Sequence, residues 1–365
     1  MRVRLLRAGT AAATVALGVA VIAAGSASAA TGAGPASAAG RSDGWTVEAA
    51  GNRAGATLAA VAARGTTRWA VGSVVTPTGS RPLTERNTGS GWRVSLPNVG
   101  AAGGSLAGVA AVTAQDVWAV GASGPNPLAL HYDGTRWRVV PTPPGGRLSA
   151  VAAVSTTDVW AVGSQPTGDG PGILVQHWNG HQWSIVDAPA QPPTDFNALT
   201  GLAVVNAHDI WAVGSRGDDF NEPLVEHWNG SAWQVVAVPE PPQPDPNDPT
   251  NVGLTAVTAV GAGNVWAVGE AGLIEHYDGH AWRIVTGPGG GTVRWAAVSA
   301  RAANDIWVVG RSGTTPVSAH WTGTAWHLVP VPTGTTLDGV VAARSAGTTA
   351  VGGTGTGALI LHNRR

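Results

Sequence analysis

One tetrad constrains this chain more than any other feature. Trp-Ala-Val-Gly, or a close variant, begins at Trp69, Trp118, Trp160, Trp211, Trp266 and Trp307, at spacings of 41–55 residues. A degenerate seventh copy reads Thr349-Ala350-Val351-Gly352. A unit of this length cannot bury an apolar face alone and must stack on its neighbours. Within one copy, four short apolar runs of strand type follow one another at 148–154, 158–163, 173–178 and 182–186. Asn179-Gly180, Asn229-Gly230, Asp133-Gly134 and Asp278-Gly279 predict two-residue hairpin loops between the third and fourth runs.

The tryptophans show that the repeat accounts for the whole domain. Of 17 Trp, six head the second strand. Six more (Trp92, Trp137, Trp183, Trp233, Trp282, Trp326) open the fourth. Trp178, Trp228 and Trp321 sit on the third, where Tyr132 and Tyr277 take the same slot, and Trp295 replaces a first-strand Leu. Only Trp45 remains, in an isolated fourth-strand pattern at the start of the domain. The last copy lacks a fourth strand, so Trp45 and its neighbours are expected to supply it and to protect that edge. Four strands per unit at this period predict an all-β, seven-bladed β-propeller whose last blade is closed by the N-terminal strand. A six-bladed ring would leave good strand patterns at both ends unexplained.

The fold is expected over residues 44–365. Before it, Arg2, Arg4 and Arg7, the apolar run 11–24 and Ala27-Ser28-Ala29 read as a signal peptide at 1–29. A flexible linker at 30–43 follows, rich in small residues. The expected protein is secreted and extracellular, monomeric, and off the membrane once the signal is removed. The chain has no Cys and no Lys, and its formal net charge is -1. Disulfide scaffolds, thiol enzymes and zinc fingers are thereby excluded, and no basic surplus exists to bind nucleic acid.

The tryptophan tetrad and the His-Trp-Asn-Gly-x-x-Trp segments at 177–183 and 227–233 resemble those of kelch-like, Asp-box and WD-repeat propellers. They are also similar to secreted propellers of high-GC Gram-positive bacteria. The resemblance implies the fold; it carries no activity, because fold does not give function. Kelch Gly-Gly doublets and WD-repeat Gly-His and Trp-Asp punctuation are missing. Tyr132 and Tyr277 fill repeat slots, which leaves no tyrosine for sialidase-type chemistry, and a galactose-oxidase copper site would need Cys.

Two columns of residues invite a chemical reading. His131, His177, His227, His276, His320 and His362 recur on the third strand. Rotational symmetry spreads them around the ring, so they are expected to serve structure rather than one metal ion. Asp158 should pair with His177 and Asp209 with His227 inside their blades, as should Asp116 and Asp305 with their own histidines. Asn264 replaces Asp opposite His276. The regular Trp columns are expected to be core, since one buried Trp removes up to about 250 Å² from water.

The spacing from third-strand His (Arg86 in the first copy) to fourth-strand Trp is constant at 6 residues, whereas the other connections vary in length. The variable connections, second-to-third and fourth-to-first, open on one face, where recognition is expected. The sector around the fourth blade is distinctive. Its connections carry Asp195, Asp218, Asp219, Glu222, Asp245 and Asp248, beside Asn221 and the only two phenylalanines, Phe196 and Phe220. Aromatic rings beside carboxylates suit a sugar, a basic peptide or Ca²⁺. No calcium-loop spacing is present, and neither a cofactor nor a metal is required. The expected function is a non-enzymatic binding module for carbohydrate or protein. The alternative is a glycan-active enzyme, hydrolase or lyase, using two loop carboxylates as acid and base. No catalytic residue is singled out. Arg294, Arg301 and Arg344 are weaker candidates for anion contacts near the central channel.

Overall fold

The computed structural model describes residues 44–51, 54–101, 103–168, 170–189, 196–217, 221–241 and 252–364, all within one compact unit, Ser42–Arg365. The expected signal peptide and linker lie outside the described residues. The described strands form seven four-stranded antiparallel sheets. The chain is therefore an all-β, seven-bladed propeller, and six blades run in sequence order. The third blade, Arg147–Ser155, Asp158–Thr167, Gly170–Trp178 and Trp183–Ile185, is representative. The seventh takes three strands from the C-terminus (Thr335–Ala343, Gly347–Thr354, Ala358–Asn363) and its outermost from Thr46–Glu48. Thr46 pairs with His362, Val47 with Leu361 and Glu48 with Ile360, so the ring closes through its two ends as expected.

The glycine of the tetrad has a steric cause. Each inner strand carries an irregularity just after its fully buried Leu or Trp, for example between Leu148 and Ala150 or Trp295 and Ala297. That kink pushes a backbone carbonyl against the second strand. A Cβ on Gly163 would lie 2.0 Å from the Arg147 carbonyl oxygen, and one on Gly72, Gly121 or Gly352 would meet its counterpart at 2.0 Å. Only a residue without a side chain fits such an approach.

Each tetrad tryptophan then packs between blades. Trp118 is 1 % exposed. It stacks on His131 of its own blade (centroids 4.4 Å) and meets Trp178 and Trp183 of the next blade at 5.0 and 5.3 Å. The same set recurs around Trp160 and Trp266. Trp45 completes it for Trp307, at 5.3 Å edge-to-face, and donates its indole N–H to Ser318 Oγ at 2.8 Å.

Two local expectations need correction. The third-to-fourth turns are four-residue loops, not two, because the ladder ends at the Trp178–Trp183 pair. The Asn179 carboxamide oxygen accepts the N–H groups of His181 and Gln182, each at 3.0 Å, and Gly180 takes a positive φ of 92°. An Asx turn holds a wider loop closed. The length variation between second and third strands is also partly ladder rather than loop. In the third blade pairing continues to Thr167 and Gly170.

Candidate ligand-binding face

Asp–His pairs sit at the constant face, at the starts of second strands. His177 Nε2 lies 2.8 Å from Asp158 Oδ1, and His227 Nε2 lies 2.8 Å from Asp209 Oδ1. Asp158 Oδ1 also accepts the Trp160 indole N–H at 2.9 Å. In the fifth blade Asn264 Oδ1 accepts both Trp266 Nε1–H (2.7 Å) and His276 Nε2 (3.0 Å). His276 is therefore a donor there, and burial holds its pKa below the usual histidine value. The oxygen's task is to orient two rings. No group of three or more His, Asp or Glu among the described residues could hold a metal ion.

The opposite face carries the variable connections. In the acidic sector the structure describes Phe196, Asn221 and Glu222. Asp195, Asp218, Asp219, Phe220, Asp245 and Asp248 lie outside the described residues. Phe196 opens the inner strand of the fourth blade, half-buried and paired with Gly217. Arg216 and Glu222 face each other across the second hairpin and form an ion pair at 3.2 Å. The one base of the sector is thus committed to one of its acids. The Asn221 carbonyl accepts the Val252 N–H at 2.9 Å, which ties that hairpin to the entry of the fifth blade.

A groove of about 580 Å³ lies on this face between the second and third blades. Its walls are the tight hairpin around Gly124 and Pro125, Gln165, Pro166, Thr167, Gly170 and Pro171 of the long third-blade hairpin, and Arg147 where the inner strand begins. Hydrogen bonds fix the walls. Gly146 N–H donates to the Pro125 carbonyl at 2.9 Å, Gln165 Nε2 to the Ile173 carbonyl at 2.9 Å, and Thr167 Oγ1 to the Gly170 carbonyl at 2.6 Å. Arg147 is exposed and makes no ion pair among the described residues. Sequence reasoning passed over this groove, although its signal was visible. Gly-Pro-Asn-Pro at 124–127 and Pro-Pro-Gly-Gly-Arg at 143–147 place prolines and one base in adjacent connections. Of the other arginines singled out, Arg294 pairs with Glu270 at 3.0 Å and Arg301 with Asp305.

Two further carboxylates lie in the body of the ring. Glu226 and Glu275, both 0 % exposed, have no hydrogen-bond partner on either oxygen among the described residues. Burial pushes each pKa up to about 8. Strand alternation puts Glu226 on the same side as Leu224, which packs against Trp160 and Val162 of the third blade. Neither glutamate lines the groove. The equivalent Glu85 also has a raised pKa from burial, but it accepts the Gly51 N–H at 3.0 Å. Gly51 follows Trp45 by six residues. Six residues after Trp183 and Trp233 stand Pro189 and Pro239, which have no N–H to give.

No protein-family model matches the chain, and no curated protein matches it significantly in sequence. Solved propellers match in three dimensions. YCF48 bound to D1 peptide superposes with a TM-score of 0.60 at 16% identity, over 89% of this chain and 96% of that one. The WD40 repeats of RRP9 give 0.62 at 10% identity, over 88% and 98%. Virginiamycin B lyase from Staphylococcus aureus gives 0.59 at 11% identity, over 84% and 94%. At such identities the likeness is one of fold.

Proposed function

We propose that this chain is an exported, non-enzymatic binding module that receives an extended segment of a partner protein on its variable face. The observation that carries the reading is the proline-walled groove, with at its end a guanidinium that makes no ion pair among the described residues. Proline and backbone surfaces give apolar contact at low entropic cost, and Arg147 suits a carboxylate on the bound segment. The acidic sector one blade away, with Phe196, Asn221, Glu222 and their sequence neighbours, supplies a second recognition surface of opposite charge. Solved neighbours include a peptide-bound propeller, which supports the use of this scaffold for peptides. Export rests on the signal-like residues 1–29. The glycan-active alternative gains no support from the groove, which has no carboxylate among its described lining residues.

The test is a binding panel of acidic and neutral peptides, with polysaccharides alongside, against the secreted protein and its Arg147→Ala variant. Acidic peptides should bind, and the variant should lose about tenfold or more. Binding only to polysaccharide, or peptide binding indifferent to Arg147→Ala, would remove this reading.

A further inference from the structure

Repeat geometry puts the same three positions at each of the seven blade junctions, on the outer flank. These are the third-strand His slot, the residue after the fourth-strand Trp, and the residue before the fourth-strand Trp of the next blade. Between the first and second blades all three are arginine: Arg86, Arg93 and Arg136. No other junction carries more than one arginine at these positions. Elsewhere the slots hold histidine, Ser, Thr, Gln, Ala or Gly, and the single arginines are Arg138 and Arg283.

Those two are neutralised within their own blades. Arg138 pairs with Asp133 at 2.6 Å and Arg283 with Asp278 at 3.2 Å, through an acid four residues before the blade's Trp. In the first blade that position is Thr88, so Arg93 has no such partner. The acid that meets the His slot from the second strand is also absent, since Thr67 stands where the second to sixth blades have Asp or Asn. Arg86 is instead fixed by neutral groups. Its Nη1 donates to the Tyr132 hydroxyl at 2.9 Å and its Nη2 to the Ala114 carbonyl at 3.3 Å. Its guanidinium lies over the rings of Trp69 (4.8 Å) and Tyr132 (5.4 Å), and its Nε is buried without a partner.

The three arginines line a cavity of about 360 Å³, walled by Trp137, Tyr132 and the 95–98 segment, with no carboxylate in its lining. Of the acids on these elements, Asp133 spends its oxygens on Thr135, the Arg136 N–H and Arg138, and Glu85 accepts the Gly51 N–H. Three like charges held in one cleft repel one another, and a bound counter-anion relieves that repulsion. Guanidinium forks match the geometry of planar and tetrahedral oxyanions.

We propose that this cleft binds an oxyanion (carboxylate, sulfate or phosphate) carried on a small ligand. The site is separate from the variable-face groove and independent of the function proposed above.

The test is calorimetric titration of the secreted protein with inorganic phosphate, sulfate and glucuronate, at ionic strength held constant with chloride. Tryptophan fluorescence gives a second readout, because Trp137 lines the cavity. Saturable binding of at least one probe is expected, and the probe preferred identifies the oxyanion. Arg93→Ala with Arg136→Ala, both exposed, should weaken it by about tenfold or more. Arg283→Ala, at the equivalent position of the fifth blade, should leave it unchanged. Saturation by none of the three probes overturns the proposal. So does binding that survives the paired substitutions or falls equally with Arg283→Ala.

Discussion

Six of the blade junctions and the seventh, where the ring closes, solve one packing problem in different ways. At six, a second-strand Trp is enclosed by the next blade; Trp118 between His131, Trp178 and Trp183 is representative. At closure the seventh blade offers Thr349 in that slot, and Trp92 of the first blade has no indole to meet. Arg68 takes the place. It is 8 % exposed, lies over Trp92 at 5.1 Å, and bonds Thr349 Oγ1 at 3.0 Å. It also pairs with Glu48 of the N-terminal strand at 2.9 Å, and Trp92 donates its N–H to the same carboxylate at 2.7 Å. Burial pulls the Glu48 pKa up. The bonds from Arg68 and Trp92 and the Arg68 charge more than offset it, so the carboxyl sits below its usual range. Ordinary junctions are thus held by dispersion and area; the seam keeps an apolar layer, in which Val351 and Ile360 pack with Leu58 and Leu83, and adds the polar contacts of Arg68 with Glu48 and Thr349. A directional contact at the seam specifies which strand closes the ring, while each aromatic junction buries a large indole.

The comparison breaks most severely at an ordinary junction. Trp118→Ala should destabilise by ~3–5 kcal/mol, through lost transfer energy and an unfilled cavity. Chemical denaturation would show it, and a loss below about 1 kcal/mol would mean that the indole column is not the main adhesive. The buried glutamates test the next level. A carboxyl at about 8 in the fold and near its ordinary value when unfolded holds a proton that the unfolded chain releases. Stability therefore falls as pH rises from about 4.5 to 8 and then levels. Glu226→Gln should remove that fall and stabilise by on the order of 4–5 kcal/mol at pH 8, with little gain at pH 4. Denaturation midpoints at the two pH values decide it, and an equal gain at both would refute the titration argument. Glu85→Gln should gain less, because Gly51 already serves Glu85. At the seam, Arg68→Ala strands the Glu48 carboxylate and should cost about 2–3 kcal/mol. The exposed Arg138→Ala, run in parallel, should cost under about 1 kcal/mol. Equal losses would mean that the ion pair contributes nothing particular to closure.

Most of the ring was legible in the sequence because a repeat supplies its own controls. Trp45 without a blade and a last copy without a fourth strand had one economical resolution. The binding face was legible only by its variable spacing. Which connection forms a groove depends on how far the second and third strands stay paired, and no residue pattern announced that Thr167 and Gly170 still pair. The seam was illegible for a different reason. Arg68 lies one residue before the tetrad, and its partners lie in other strands: Glu48 20 residues before it and His362 294 residues after it. Only a closed ring brings them together. The arginine cleft could have been found by aligning the copies position by position, since Arg86 was already visible as the exception in the His column.

The smallest effect sharpens the comparison within the repeat itself. Asp158 and Asn264 occupy one position in different blades, and each uses a single oxygen to accept the N–H groups of a Trp and a His. Were the negative charge essential, the fifth blade would lack something the third possesses. The geometry gives no sign of that, since Trp266 and His276 stack at 4.2 Å and Trp160 and His177 at 4.3 Å. Asp158→Asn should therefore cost under about 1 kcal/mol, the difference between a charged and a neutral acceptor. Asp158→Ala removes the acceptor, leaves two donors unserved, and should cost about 1–3 kcal/mol. Paired denaturation curves separate the cases. If Asn were as damaging as Ala, the column would hold its rings through charge, and Asn264 would mark the weakest blade. If Asn is benign, the oxygen alone is the repeated requirement.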